Sequence, residues 1–362
     1  MVLTIICVGK RCVGYWQDFN STNTRGVCPL LEHQSHCSPF RISQRRRFVF
    51  TSNCQSFNPE VALSLFKNKR IVLIGDSVLT QVWESLVCEL YEIEKNVKFT
   101  VEPDKGYKGG YQIGTKSAHF LNFNFTILNS RFDWYYKAGS ALTILKPYCE
   151  SGADVVLNFG IHYNEYLGKP SQQPDRNDYL SALWELSKDI TSMGNTCNWR
   201  LWFSESTPQH FKGNNGNGYF NAKRGKQCRD GDISLELDWW NVILRNRTVS
   251  RLAESLRLIS FPELNSQWDA HLEMDIHSSE RNSTIEFADC THWCNPSGAL
   301  HYMQMVILNN LLETWLLLPC DSSVCVVLKK NQEAGSCGTI SHTPRVDGRA
   351  HSHVRRDCER VL

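Results

Sequence analysis

The sequence predicts an α/β fold: a three-layer α/β/α domain with a central parallel sheet, preceded by a cysteine-rich amino-terminal cap. Three observations predict it. Residues 70–74 read Arg-Ile-Val-Leu-Ile, a short β-branched run without polar alternation, of the kind buried on both faces of a parallel sheet. Similar short runs recur downstream, separated by stretches of helical periodicity. Residues 1–68 show neither pattern and are rich in Cys, Ser, Asn and Arg.

Taken in order, residues 1–68 read as a loop-rich, disulfide-tied cap, and the basic run Arg45-Arg46-Arg47 as the solvated start of a strand. The first buried strand, 70–74, ends in Gly75-Asp76-Ser77. The helical spacing of Val82, Leu86 and Leu90, with Trp83 and Val87, follows at once. Strand candidates come next at 123–128, 154–157, 200–203 and 256–261, with helices at 180–190 and 239–256. The apolar stretch 299–318 is interrupted by His301, Gln304, Asn309, Asn310 and Glu313, which makes it an amphipathic helix and not a membrane span. The main domain is therefore expected over 69–318. Residues 319–362 lack apolar periodicity and read as a disordered tail.

Composition narrows the setting. Hydrophobic content of 41% suits a globular chain, and a net charge of +2 gives no basis for binding nucleic acid or a membrane surface. Fifteen scattered cysteines without a CxxC pair argue against zinc ribbons and for structural disulfides in an oxidising compartment. Sequons at Asn20, Asn124, Asn246 and Asn282 agree with glycosylation in the secretory pathway. Residues 1–9 are apolar but too short, and without a basic flank, for a recognisable signal. No membrane anchor is visible, and one is expected outside this chain.

The chemistry sits at two places. A serine hydroxyl becomes a nucleophile only when a base takes its proton, and that base needs a group fixing its tautomer. The strand-to-helix turn presents Ser77 at a helix amino terminus, at the carboxyl end of a strand, where α/β active sites lie. The unpaired N–H groups of that helix end can form part of an oxyanion hole. Asp289-Cys290-Thr291-His292 supplies a base and, three residues before it, a carboxylate able to reach its Nδ1. Either motif alone is commonplace as a turn or cap. Their joint placement, after the first buried strand and before the last helix, carries the reading. Cys290, His292 and Cys294 could alternatively ligate a metal, but strand alternation would turn His292 away from the cysteines, and no metal is expected. Trp134-Tyr135-Tyr136 and Trp239-Trp240 could stack sugars or simply pack, and His162 and His210 could line the cleft or be structural.

Ile74-Gly75-Asp76-Ser77 with Trp83-Glu84-Ser85-Leu86-Val87-Cys88, and Asp289-Cys290-Thr291-His292-Trp293-Cys294, resemble the outer blocks of the plant trichome-birefringence-like proteins. These are the PC-esterase branch of the SGNH/GDSL superfamily. Residues 154–160 and 206–211 resemble two inner blocks, and Cys12, Cys28, Cys37 and Cys54 the family's entry region. The resemblance implies an SGNH-type fold with Ser77 as nucleophile, His292 as base and Asp289 as its orienting carboxylate. It also implies a nucleophile and oxyanion block of Gly75, Asp76, Asn158 and Gly160, with Asn158 donating beside the Ser77 backbone. It further implies the pairs Cys12–Cys54, Cys28–Cys88, Cys37–Cys294 and Cys228–Cys290; spacing alone leaves roughly a hundred pairings open. The family pattern departs at Val78-Leu79-Thr80-Gln81-Val82, at Ile161 and at Asn295-Pro296-Ser297, and its second-block glycine has only Gly109 or Gly110 as candidates.

The activity so implied is O-acetyl transfer to glycan or polysaccharide hydroxyls through an acyl-serine. It needs a small acyl donor as co-substrate, no other cofactor, and takes place in the Golgi lumen or at its membrane. Two alternative functions stand beside it, a carbohydrate acetylesterase on the same triad and a catalytically inactive glycan-binding protein of this fold, and one alternative location, secretion outright.

Overall fold

The run at 70–74 forms the middle of the sheet, buried from Ile71 to Gly75. The computed structural model describes residues 2–3, 14–18, 46–50, 59–102, 114–132, 145–149, 151–163, 175–193, 196–211, 228, 238–267, 270–271, 289–294, 297–316 and 329–330. In chain order the elements are β1 (Val2–Leu3), β2 (Gly14–Asp18), β3 (Arg46–Phe50), α1 (Pro59–Leu65), β4 (Arg70–Gly75), α2 (Ser77–Ile93), β5 (Val97–Glu102), β6 (Thr115–Phe120) and β7 (Phe125–Arg131). They continue with β8 (Asp154–Leu157), α3 (Arg176–Met193), β9 (Arg200–Ser204), α4 (Trp239–Arg245), α5 (Arg247–Ser250), β10 (Arg257–Ile259), α6 (Gly298–Leu316) and β11 (Lys329–Lys330).

The chain divides into two units, 1–5 with 320–362, and 6–319. In the first, β1 and β11 pair antiparallel, Val2 opposite Lys330. The rest of the expected tail lies outside the described residues.

The second unit is built on a seven-stranded sheet of order β10-β9-β8-β4-β7-β6-β5. The five strands from β10 to β7 are parallel. From β4 the chain reaches β7 on one side, then crosses back to β8, β9 and β10 on the other. That reversal places a crevice at the carboxyl end of β4. The helices form two packed sets, α1 and α6 against α2, and α4 and α5 against α3, as an α/β/α sandwich requires. Asp154 is buried and takes a bidentate bond from Arg200 (2.6 and 2.8 Å), which pins the register of β8 against β9. A carboxylate this deep is tolerable because it is fully paired.

Three expectations need correction. The sheet is mixed, because β6 and β5 add antiparallel at one edge. Their sequences, Val-Lys-Phe-Thr-Val-Glu and Thr-Lys-Ser-Ala-His-Phe, carry polar residues at alternate positions. A search for continuous apolar runs passes over such one-sided strands. The helix expected over 239–256 is two, broken at Asn246, whose side chain accepts the Val249 N–H (3.2 Å) and caps α5. The segment 1–68 is also less loop-like than expected. It carries the β2–β3 ribbon and α1, and Phe48 is buried against Trp16 and Tyr302, with ring centroids 5.0 and 4.8 Å away.

Two disulfides join described cysteines, Cys149–Cys197 and Cys228–Cys290. The second is one of the implied pairs; the first involves residues whose pairing the sequence left open. Cys88 and Cys294 are also disulfide-bonded. Their expected partners Cys28 and Cys37, and the pair Cys12 and Cys54, lie outside the described residues.

Candidate active site

β4 delivers the chain to the crevice, and Gly75 lets it turn there. A Cβ on Gly75 would lie 2.6 Å from the Asn158 carbonyl oxygen, a backbone atom at the end of β8, so only glycine fits. Asp76 is the N-cap of α2. Its Oδ1 accepts the Val78 and Leu79 N–H groups (2.9 and 3.3 Å). The Ser77 N–H takes no partner among the described residues, and it is the first N–H of the helix. Gly160 is equally confined, since a Cβ there would collide with Ser206 Oγ.

The second half comes from 289–294. Asp289 Oδ1 accepts the backbone N–H of Thr291 (3.1 Å) and of His292 (2.9 Å), a tight turn that brings the imidazole over its own carboxylate. Asp289 Oδ2 then lies 2.7 Å from His292 Nδ1. This assigns the proton to Nδ1, because a carboxylate can only accept. The lone pair of Nε2 faces Ser77 Oγ at 2.6 Å and accepts its O–H. The structure therefore brings Ser77 and the Asp289–His292 pair, more than two hundred residues away from it, into one hydrogen-bonded line.

Electrostatics follow this geometry. Burial pulls the His292 imidazolium down, but the Asp289 charge and hydrogen bond, with Asp76 nearby, outweigh it and raise its pKa. Burial alone would push the Asp289 carboxyl up. The His292 charge, the ring hydrogen bond and the two N–H groups overcome this and hold it far below the usual carboxylate range.

The loop is anchored elsewhere too. His210 N–H donates to Cys290 O (3.0 Å), Cys294 N–H to Ala270 O (3.1 Å), and Gln209 Nε2 to Thr291 Oγ1 (3.0 Å). His271 stacks on Trp293 (4.1 Å), and its Nδ1–H donates to His292 O (3.0 Å). The remaining nitrogen of His271, Nε2, meets His210 Nδ1 at 2.8 Å, while His210 Nε2–H donates to Asn265 O (2.8 Å). Both outer partners are carbonyls. Three hydrogen bonds thus call for three protons on two rings, one more than two neutral imidazoles carry. Burial and the neighbouring His210 drive the His271 pKa well down. His210 is thereby a buried structural residue, not a cleft residue.

Asn158 does not do what the resemblance implies. Its Nδ2 donates to Ser204 O (3.1 Å) and Glu205 O (3.2 Å), which commits both amide hydrogens to the end of β9 and leaves none for an oxyanion. Trp240 is buried, and Trp239 packs edge-on against it and against Tyr179 (5.4 and 5.6 Å). These rings pack against one another. His162 is partly buried beyond β8. Among the sequons, Asn124 and Asn246 are exposed; Asn20, Asn282, Trp134-Tyr135-Tyr136, Gly109 and Gly110 lie outside the described residues. No metal-ligating group of three exists among the described residues, and no described helix is long and apolar enough to cross a membrane.

Sequence reasoning missed His271 and Gln209, which bear on this loop without any motif of their own. Gln81 registered only as a departure from the plant pattern.

Comparison with known proteins agrees with this architecture. Residues 55–144 match the profile of PC-Esterase, described as a GDSL/SGNH-like acyl-esterase family found in Pmr5 and Cas1p. Protein trichome birefringence-like 39 of Arabidopsis thaliana is 22% identical over 299 residues, covering 74% of this chain and 77% of its own length. Trichome birefringence-like 42 is 22% identical (78% and 84%), and Protein trichome birefringence 22% (80% and 54%), both from the same plant. In its motifs and in the relatives it matches, this chain is similar to the trichome birefringence-like proteins, and over residues 55–144 to the GDSL/SGNH-like acyl-esterases of the PC-esterase group.

Proposed function

We propose that this protein transfers an acyl group through Ser77, and that its acceptor is a glycan hydroxyl. The observation that carries the reading is the bridging imidazole, 2.7 Å from Asp289 and 2.6 Å from Ser77. In the first half-reaction Ser77 Oγ attacks the acyl carbonyl while His292 Nε2 takes its proton. The tetrahedral oxyanion collapses, the donor's leaving group departs with that proton, and an acyl-Ser77 ester remains. In the second, His292 deprotonates the acceptor hydroxyl, which attacks the ester, and Ser77 leaves with the proton restored. Asp289 holds the imidazolium formed at each step. The Ser77 N–H is the donor best placed for the oxyanion, a contribution of roughly 3–4 kcal/mol per donor in such sites.

The resemblance to trichome birefringence-like proteins supports acetyl as the acyl group and a polysaccharide as acceptor, with a small acetyl donor as the one co-substrate. The disulfides and exposed sequons support work in the secretory lumen, with the Golgi favoured by the same resemblance. Purified protein incubated with p-nitrophenyl acetate, with and without oligosaccharide, tests the reading. Acetylated oligosaccharide formed by the wild type and not by Ser77→Ala is expected. Free acetate unaffected by the sugar would make the protein an esterase instead. Turnover equal in Ser77→Ala would overturn the triad altogether.

A further inference from the structure

Ser77 and Gln81 are one helical turn apart and lie on the same face of α2. The loop meets that face with two consecutive residues. His292 meets Ser77, and the backbone of Trp293 meets Gln81: Gln81 Nε2 donates to Trp293 O (3.0 Å), and Gln81 Oε1 accepts the Trp293 N–H (3.0 Å). Both residues are buried. A primary amide can donate to a carbonyl and accept from an N–H of the same residue, as a neighbouring strand would. Among the described residues, other backbone anchors of the loop run to Ala270, His271 and His210, none of which belongs to α2.

We propose that Gln81 is a positioning residue that fixes the separation of His292 from Ser77 by clamping the next peptide unit to α2. Its role rests on the acyl-serine reading above. Without the clamp the loop keeps those other anchors, but the Nε2–Oγ distance is no longer held from the helix, and the Trp293 N–H and carbonyl are stranded in a dry interior. A displacement of about 1 Å at a proton-transfer contact costs as much as a hundredfold in rate.

Gln81→Glu separates this role from bulk packing, because it keeps the shape and one of the two bonds. Ionised, the new carboxylate still accepts the Trp293 N–H but repels the Trp293 carbonyl. Protonated, it donates to that carbonyl and rebuilds the clamp. Gln81→Met, of similar volume, can do neither at any pH. The experiment follows the rate at which a fluorophosphonate probe labels Ser77 from pH 5 to 9 in wild type, Gln81→Glu, Gln81→Met and Ser77→Ala, with circular dichroism and thermal melting beside it. Gln81→Met should label roughly ten- to a hundredfold more slowly than wild type across the range. Gln81→Glu should match it at high pH, and its rate relative to wild type should climb as pH falls. Variants labelled at the wild-type rate, or a Glu-to-wild-type ratio that stays level with pH, would overturn the clamp while leaving the acyl-serine reading intact. A wild type labelled no faster than Ser77→Ala would overturn that reading and the clamp with it.

Discussion

Replacing Asp289 by Asn leaves the loop's shape almost unchanged and reverses the logic of the base. The asparagine oxygen can keep the Thr291 and His292 N–H groups that Asp289 Oδ1 now holds at 3.1 and 2.9 Å. Its NH2 group then takes the place of Oδ2, 2.7 Å from His292 Nδ1. A donor at that position forces the lone pair of the imidazole onto Nδ1 and the proton onto Nε2, where it points at Ser77 Oγ and leaves Nε2 no lone pair to take the serine proton. A wrongly held tautomer in a serine triad costs roughly 10⁴-fold in kcat, equivalent to about 5 kcal/mol of barrier. The pH profile should move too. His292 acts as a base only when neutral, and Asp289 contributes to its raised pKa. Wild-type activity should therefore rise with pH through a midpoint above the ordinary histidine value of about 6.5. The residual activity of Asp289→Asn should rise through a lower one. Stability follows a related window. The raised His292 pKa contributes stability that is complete below about pH 6.5 and lost as pH rises through its folded value. The depressed Asp289 pKa contributes stability present above about pH 4 and lost only in strong acid. The melting difference between wild type and variant should thus be widest between about pH 4 and 6.5 and narrow at pH 9. Steady-state rates and melting curves across pH measure both. A variant with wild-type kcat and an unmoved acid limb would refute the assignment.

Other consequences are equally concrete. Gly75→Ala places a methyl against the Asn158 carbonyl, 2.6 Å away. It should cost about 1–3 kcal/mol in chemical denaturation and slow acylation by shifting Ser77; full stability would mean that β8 yields more readily than its hydrogen bonds suggest. Removing the Cys228–Cys290 bridge with paired alanines frees the segment just before the base, and should cost about 2–4 kcal/mol with a fall in kcat. Unchanged turnover would show that the bridge does not hold the loop. Burial raises the Asp238 carboxyl to about 7 despite Arg245 nearby. An acid whose pKa is higher folded than unfolded destabilises the fold increasingly as pH climbs from about 4 to 7. Asp238→Asn should then raise the melting temperature at pH 8 and barely at pH 4, and a pH-independent difference would contradict that environment.

The strands that position the site were legible because burial on both faces leaves a continuous apolar run, as at Ile71–Ile74 and in Asp154–Leu157. The hairpin of β5 and β6 was not, since one-sided strands alternate and look polar on average. Ser77, Asp289 and His292 were legible because a turn, a cap and a three-residue spacing are local signals, and a family resemblance joined them. What holds them was not. Gln81 bonds to a peptide backbone 212 residues away, and backbone partners leave no trace in residue type. His271 likewise becomes visible only once the fold sets it against His292 O. Asn158 shows the converse: its motif suggested an oxyanion donor, and the register of β8 against β9 spends its amide on carbonyls instead.

Intact-mass analysis after brief exposure to an activated acetyl ester, followed by peptide mapping, asks the central question most directly. One acetyl group per chain on Ser77, absent in Ser77→Ala and discharged on adding an acceptor oligosaccharide, is the predicted result. An unmodified Ser77 in protein that still turns over the ester, or an acetyl group that no acceptor or water removes, would contradict the account.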